Sequence, residues 1–166
     1  RYLDLVSDEI RKQDGYVDKF IGDGIMAIFG METDLREGAR QALRASREIV
    51  KAVNVLNSER GNNLREPLRI GIGLHAGPVI LGRIGAAGGS GERSSITALG
   101  DVVNTASRLE AENKTHGSLL TLSAAVLKAA EVRLPDCETR EIVLRRKTVP
   151  LQIYSLTDLD REPVPV

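Results

Sequence analysis

The chain is organised around the segment Val17-Asp-Lys-Phe-Ile-Gly-Asp-Gly-Ile-Met-Ala-Ile-Phe29. Two short apolar runs, at residues 17–21 and 25–29, flank the tripeptide Gly22-Asp23-Gly24. Runs rich in β-branched and aromatic residues, joined by a Gly/Asp cluster, predict a β-hairpin. The turn carries the carboxylate of Asp23 at its tip, where it can hold a divalent cation against a phosphate chain. Asp-Gly is also ordinary turn chemistry, so a purely structural role is the alternative.

The composition of the chain is that of an ordinary globular domain. Its 166 residues are enough for one domain with a sizeable core. Lys+Arg and Asp+Glu number 23 each, so no net charge directs the chain to nucleic acid or to a membrane. The single cysteine predicts a reducing compartment, and we expect the cytoplasm. We expect no membrane contact from this domain, and any tether would belong to the rest of a longer protein.

Helical periodicity is found on both sides of the hairpin. Upstream, Leu3, Val6 and Ile10 recur at helical spacing. Downstream, Asp34 followed by Glu37 resembles a capping box for a long helix that runs to about residue 58. The hairpin is therefore expected between two helices.

The strict alternation of residues 68–74 predicts a strand with two different faces. The branched side chains lie on one face, whereas Gly71 and Gly73 lie on the other. A glycine face allows another element to approach the backbone closely.

The remaining apolar runs predict further alternation of strands and helices. We expect strands at 78–81, 95–99, 119–122, 142–144 and 151–156, and helices from 101 to about 115 and from 123 to 130. Interleaved helices together with hairpins favour an α+β fold, with an antiparallel-rich sheet and helices packed on one face. Residues 1–156 would form the domain and residues 157–166 a disordered tail.

The helix predicted from residue 101 carries a polar pair. Val102, Ala106 and Leu109 form its apolar stripe, and Asn104 and Arg108 lie one turn apart on roughly the opposite face. An arginine is a planar donor to phosphate, and an amide can orient a polar ligand. A solvated helix face with an exposed arginine is the alternative interpretation.

Three segments together resemble the class III nucleotidyl cyclases. They are Asp18-Lys-Phe-Ile-Gly-Asp-Gly-Ile-Met-Ala-Ile-Phe-Gly30, Arg69-Ile-Gly-Ile-Gly-Leu-His-Ala-Gly77 and Ile96-Thr-Ala-Leu-Gly-Asp-Val-Val-Asn-Thr-Ala-Ser-Arg-Leu-Glu110, in the order that the family has them. The resemblance implies a ferredoxin-like cyclase catalytic domain at residues 1–156. It further implies a homodimer with two composite sites at its interface, which makes a 3′,5′-cyclic nucleotide from a nucleoside triphosphate.

The resemblance also implies roles for individual residues. Asp23 matches the family's second metal-binding aspartate, and Lys19 matches the lysine that binds the purine. Thr97 stands at the purine-selecting position, which is often aspartate. Asn104 matches the residue that positions the ribose, and Arg108 matches the arginine that stabilises the phosphate transition state.

The implied cofactors are two divalent metal ions, Mg²⁺ or Mn²⁺, with Ca²⁺ as an alternative at one site. Lys147 resembles a phosphate-binding lysine of the family. The family's first metal-binding aspartate lies on a strand that precedes the first helix, and this chain begins after it. We therefore expect a fragment of a longer protein that carries an upstream sensor domain.

With Thr97 at the purine-selecting position, the chain resembles a bacterial subgroup of adenylate cyclases. These enzymes carry threonine at that position and are associated with bicarbonate stimulation. We expect an adenylate cyclase that converts ATP to cyclic AMP and pyrophosphate. A guanylate cyclase is one alternative, disfavoured by Lys19. A catalytically silent cyclase-like dimerisation or regulatory module is another, suggested by the absent aspartate. An RNA-binding sheet of related architecture is opposed by 3% aromatic residues and zero net charge.

Overall fold

The structure is a computed structural model that describes residues 1–60, 66–84, 95–134, 137–143 and 149–159. The elements of these residues are, in order, α1 (Tyr2–Lys12), β1 (Tyr16–Ile21), β2 (Gly24–Ile28), α2 (Leu35–Arg60), β3 (Ile72–Leu74), β4 (Ile80–Ile84), β5 (Ser95–Leu99), α3 (Asp101–His116), β6 (Leu120–Ser123), α4 (Ala124–Ala130), β7 (Glu138–Ile142) and β8 (Leu151–Leu156). The predicted α+β fold is confirmed. Among the described strands, every pair except β3 with β6 is antiparallel.

The described strands are grouped in three sheets. Strands β1 and β2 form a hairpin, β4 and β5 form a second antiparallel pair, and the third sheet has the order β3-β6-β8-β7. The parallel pairing of β3 with β6 requires a crossover connection, and α3 lies within it.

The hairpin contains an irregularity that the sequence did not predict. Its pairing passes from Val17↔Ala27 to Lys19↔Met26, so Asp18 is an extra residue on β1. Such a β-bulge breaks the alternation of side chains and re-aims them.

Helix α2 connects two apolar clusters. On one side Leu43 packs in a cluster with Leu122 of β6. On the other side Val53 packs in a cluster with Ile10 of α1, against which the inner residues of the hairpin also pack. The hairpin therefore has a fixed position on the core.

The predicted cap of α2 is half formed. The Glu37 N–H donates to Asp34 Oδ1 at 2.7 Å, as in a capping box. The Glu37 carboxylate accepts from Arg44 Nη2 at 2.6 Å, on the following turns of the same helix.

Strand β3 is shorter than predicted, because it begins at Ile72 rather than at residue 68. The backbone of Leu68 is bound by a side chain of α2 instead of by a strand. Asn57 Oδ1 accepts from the Leu68 N–H at 2.8 Å, and Asn57 Nδ2 donates to the Leu68 carbonyl oxygen at 3.0 Å.

Two further strand positions differ from the prediction. Strand β4 begins at Ile80, two residues beyond the expected start, since its ladder with β5 begins at the pair Ile80↔Leu99. Strand β7 precedes the expected residues 142–144, since it pairs along β8 from Ile142↔Leu151 back to Glu138↔Ser155.

The expected disordered tail is wrong for residues 157–159. Leu159 is only 2% exposed and belongs to the core, and its carbonyl oxygen accepts from Arg47 Nε at 3.4 Å. An apolar side chain therefore anchors the chain beyond β8. Residues 160–166 lie outside the described part of the chain.

None of the helices in the described ranges combines the length and the apolar character that crossing a membrane requires.

Candidate active site

Lys19 and Thr97, the two residues expected to contact the purine, lie side by side. Lys19 Nζ donates a hydrogen bond to Thr97 Oγ1 at 2.5 Å, although the residues are 78 positions apart in the chain. Thr97 is 2% exposed, whereas the Lys19 side chain is 41% exposed. The structure therefore brings a buried hydroxyl and an accessible ammonium group into direct contact.

Asp18, for which the sequence predicted no role, is a third member of this group. Its Oδ2 accepts from the Thr97 hydroxyl at 2.8 Å and from the Ala98 N–H at 3.1 Å. Lys19 Nζ lies 3.5 Å from the same oxygen. Alternation along a strand would direct Asp18 and Lys19 to opposite faces, and the bulge at Asp18 brings both to Thr97.

A second hydrogen bond fixes the hairpin against β5. The hydroxyl of Tyr16 accepts from the Ile96 N–H at 3.3 Å, two residues before the Ala98 N–H that Asp18 binds. Alternate N–H groups point to the same edge of a strand. Side chains of β1 thus bind the edge of β5 that faces away from β4, which holds Lys19 beside Thr97.

Asp23 lies at the exposed tip of the hairpin, as expected. Within the described ranges its carboxylate makes no hydrogen bond or ion pair. It lines the mouth of a cleft of about 750 Å³, bordered by β2 and by residues 69–77 and lined also by Tyr2 and Glu110. A carboxylate in this position is available to a ligand.

The surroundings of Asp23 are acidic. Burial raises the pKa of Tyr2 above its ordinary value, and the negative charges of Asp23 and Glu110 raise it further. Glu110 is the last residue of the cyclase-like segment that begins at Ile96, but the sequence predicted no role for it. Its position beside the cleft depends on the packing of α3 against β3. Its Oε1 would be 3.2 Å from a Cβ at Gly71.

The residues near Asp23 do not form a complete metal cage. In the part of the chain that the structure describes, no group of three or more His, Cys, Asp or Glu side chains is arranged to hold a metal ion. A single carboxylate suits Mg²⁺, which commonly binds one or two carboxylates together with substrate phosphates. The available donor therefore fits a metal ion that a triphosphate carries.

Asn104 and Arg108 lie one turn apart on α3, as predicted, with Asn104 exposed and Arg108 half-buried. Helix α3 follows β5 directly, through Gly100 with a φ of 133°. The α3 side chains that line the cleft of Asp23 include Ser107, whereas Asn104 and Arg108 are not among the lining residues. In the described part of the chain, Asn104 and Arg108 therefore lie outside the cleft that Asp23 lines. Lys147 lies outside the described residues.

A model of the adenylate and guanylate cyclase catalytic domain matches residues 4–154. The chain belongs to this family. The resemblance expected from the three sequence segments is thereby confirmed.

Two bacterial relatives match almost the whole of this cyclase domain. It is 35% identical over 161 residues to "Adenylate cyclase 1" of Rhizobium meliloti (strain 1021), covering 96% of this chain and 24% of that protein. It is 33% identical over 166 residues to "Adenylate cyclase" of Anabaena cylindrica, covering 93% of this chain and 30% of that protein. The domain thus spans less than a third of these relatives.

Solved structures of cyclases share the fold of the domain. The adenylyl cyclase CyaB from P. aeruginosa has a TM-score of 0.78 at 28% identity, covering 95% of this chain and 79% of that chain. A guanylyl cyclase has a TM-score of 0.76 at 29% identity, covering 93% of this chain and 75% of that chain. Proteins named adenylyl cyclase and proteins named guanylyl cyclase share this fold. The fold alone therefore does not distinguish ATP from GTP, and individual side chains must do so.

Proposed function

We propose that this chain is the catalytic domain of an adenylate cyclase, which converts ATP to 3′,5′-cyclic AMP and pyrophosphate as a homodimer. The observation that carries the proposal is the hydrogen-bonded pair of Lys19 and Thr97. The names of the two bacterial relatives favour the same activity.

The pair of Lys19 and Thr97 has the donor and acceptor that adenine requires. Adenine presents an acceptor at N1 and a donor at its N6 amino group, whereas guanine presents a donor at N1 and an acceptor at O6. Lysine is only a donor, and a threonine hydroxyl that accepts one hydrogen bond has a second lone pair left. Lys19 would donate to adenine N1, and Thr97 would accept from N6.

Asn104 and Arg108 would act on the sugar and the phosphates. Their side chains lie one turn apart on one face of α3, so an amide and a guanidinium can reach neighbouring parts of one nucleotide. Asn104 would hold the ribose, and Arg108 would donate to the phosphate oxygens as their negative charge grows. Such preorganised donors commonly supply the largest part of catalysis.

The reaction itself is an intramolecular displacement. The ribose 3′-oxygen forms a bond to the α-phosphorus while the bond from that phosphorus to the bridging oxygen breaks, and pyrophosphate leaves. The 3′-hydroxyl loses its proton to solvent. Positioning and electrostatics carry this chemistry, because no covalent bond to the protein is needed.

Asp23 is the residue of this chain that would hold the two divalent metal ions, Mg²⁺ or Mn²⁺, with Ca²⁺ as an alternative at one site. Its carboxylate is exposed and borders the cleft. When bound, such ions lower the pKa of the 3′-hydroxyl and neutralise phosphate charge. The lysine at 147 is proposed as a further phosphate ligand on the resemblance alone.

A homodimer would complete each site. Large apolar side chains are exposed around the base-binding pair, namely Phe20 and Ile21 on β1, Ile80 and Leu81 on β4, and Leu99 on β5. Exposed apolar surface of this kind is typical of protein interfaces. One protomer would supply Asp23, and the other would supply Lys19, Thr97, Asn104 and Arg108.

The cleft between β2 and residues 69–77 suggests where a further metal ligand would enter. Among the described strands, β2 pairs with β1 alone and β3 with β6 alone, so each has an edge free for another strand. We propose that a strand preceding α1 in a longer protein pairs there and brings the family's first metal-binding aspartate near Asp23. An upstream sensor domain belongs to the same proposal, with the domain extending past residue 156 to Leu159, which is buried in its core. The single cysteine and the substrate ATP favour the cytoplasm.

The test is product analysis with the full-length protein. Incubation with ATP and Mg²⁺ or Mn²⁺ should yield cyclic AMP and pyrophosphate in equal amounts, measured by chromatography. Cyclic GMP from GTP at a higher kcat/KM would establish the guanylate cyclase alternative. No product from either nucleotide, in a protein shown to be folded and dimeric, would establish the silent module instead.

A further inference from the structure

We propose that Asp18 is a positioning residue that sets base specificity by holding the Thr97 hydroxyl as a hydrogen-bond acceptor. The proposal rests on the adenylate cyclase function proposed above and extends it to a residue that does not contact the base. It concerns the direction in which one hydroxyl group points.

The partners of Thr97 leave its hydroxyl a single orientation. A carboxylate accepts hydrogen bonds and an ammonium group donates them. The hydroxyl hydrogen therefore points to Asp18 Oδ2 at 2.8 Å, and Thr97 Oγ1 accepts from Lys19 Nζ. One lone pair on Oγ1 remains, so Thr97 can accept from a base but cannot donate to it.

The surroundings of Asp18 keep this arrangement in place. The Asp18 side chain is 2% exposed, and Thr97 is also 2% exposed. The same Oδ2 atom accepts from the backbone N–H of Ala98, which ties the carboxylate to the strand that carries Thr97. Leaving a buried donor or acceptor unpaired is costly, so rotation of either side chain is opposed.

The fixed hydroxyl makes the pair selective. A threonine whose hydroxyl rotates freely can accept from adenine N6 or donate to guanine O6. With Asp18 in place only the first is available. A guanine bound in the same position would set O6 against a lone pair of Thr97 and its N1–H against the Lys19 ammonium. Lys19 alone discriminates poorly, because it could also donate to O6.

The bulge at Asp18 is the structural device that makes this possible. Regular alternation would direct the side chains of residues 18 and 19 to opposite faces of β1. The register shift between Val17 and Lys19 lets a strand present a buried carboxylate and an accessible ammonium to one hydroxyl. β-Bulges are over-represented next to active sites for this reason.

The test compares ATP with GTP in the full-length protein, by kcat/KM and by competitive binding of non-hydrolysable ATP and GTP analogues. In Asp18→Ala the Thr97 hydroxyl is free to rotate, and the ATP:GTP ratio should fall about tenfold, the scale of one hydrogen bond. Asp18→Asn keeps an oxygen for the Thr97 and Ala98 donors, so its ratio should stay within about twofold of wild type. A ratio is independent of the fraction of protein that folds.

Two further variants distinguish a specific role from a structural one. Tyr16→Phe removes the other side-chain bond from β1 to the β5 backbone without touching Thr97, and it should leave the ratio unchanged. In a Thr97→Val background, Asp18→Ala should change the ratio no further, because the hydroxyl through which it acts is gone.

An unchanged ratio in Asp18→Ala, or an equal fall in Tyr16→Phe, would overturn the role of Asp18 while leaving the cyclase function intact. Absence of product from both nucleotides would instead contradict the proposed function. In that case the binding ratio still decides whether Asp18 controls base choice.

Discussion

Gly73 of β3 packs directly against Ala106 of α3. A Cβ atom on Gly73 would lie 2.3 Å from the Ala106 carbonyl oxygen and 2.3 Å from the Glu110 backbone nitrogen. Both are backbone atoms, which cannot move aside as a flexible side chain can. The glycine face of β3 therefore determines how closely α3, with Asn104 and Arg108, approaches the sheet.

Gly73→Ala should accordingly destabilise the protein by about 1–3 kcal/mol or more, the scale of overpacking in a well-packed interior. Urea denaturation followed by circular dichroism measures the loss. Gly82→Ala is a matched control on β4, where the nearest atom to an added Cβ is 3.7 Å away, and it should have little effect. Equal stabilities for the two variants would contradict the close packing of α3.

The glycine face was predictable from sequence because strict alternation in 68–74 is a local signal, and so was the hairpin around Gly22. The polar pair of Asn104 and Arg108 was predictable from helical periodicity alone. Their roles came from the family resemblance rather than from any spacing.

The features that were not predictable depend on contacts between distant segments. The bulge at Asp18 accompanies the approach of β1 to β5, and the late start of the strand predicted at 68–74 accompanies the binding of Leu68 by the Asn57 side chain. Leu159 is anchored in the core although residues 157–166, which end in Pro163-Val-Pro165-Val, were predicted to be a tail. Local patterns give elements, whereas these positions need the assembled fold.

Arg108→Ala should lower kcat by roughly 10²–10³-fold with little change in KM, since one preorganised donor to the transition state is lost. Steady-state kinetics with ATP measure the two constants separately. A rise in KM alone would instead mark Arg108 as a residue that binds the ground state. Arg11→Ala is a suitable control, because Arg11 is an exposed arginine of α1 that pairs with Asp8, and it should leave both constants unchanged.

Asp23→Asn should abolish metal-dependent activity and preserve the hairpin, because asparagine suits the same turn. It should also lower the pKa of Tyr2 toward the ordinary value of 10.0, since the Asp23 charge is one cause of the raised pKa. Absorbance titration of the phenol measures this shift, and Tyr2→Phe identifies the signal among three tyrosines. An unchanged titration would contradict the proximity of Asp23 to Tyr2.

The raised pKa of Tyr2 also has a consequence for stability. As pH rises, Tyr2 ionises in the unfolded chain at a lower pH than in the folded protein. The contribution of Tyr2 to the free energy of unfolding is therefore fully present below pH 10 and is lost as pH rises through the folded-state pKa. Wild type should therefore lose more stability than Tyr2→Phe above pH 10.

Lys19→Glu should lower ATP use and relatively favour GTP, because a carboxylate at this position accepts from guanine N1–H. Thr97→Asp alone would set two carboxylates within hydrogen-bond distance of each other beside Asp18, which is unfavourable when buried. The double variant Thr97→Asp with Asp18→Asn should preserve ATP use, since the new amide can donate to the new carboxylate. The values of kcat/KM for both nucleotides check this, and a Lys19→Glu protein that keeps the wild-type preference would contradict the role of Lys19.

If two protomers share each cyclase site, two variants that damage different halves of the site should complement each other in a heterodimer. Asp23→Ala and Arg108→Ala proteins should each have little or no activity alone. In a mixture with exchanged subunits, half of the dimers are heterodimers with one intact site, so cyclic AMP synthesis should recover to about a quarter of the wild-type rate. If heterodimers form and no cyclic AMP is made above the rate of the separate variants, the shared-site account is wrong.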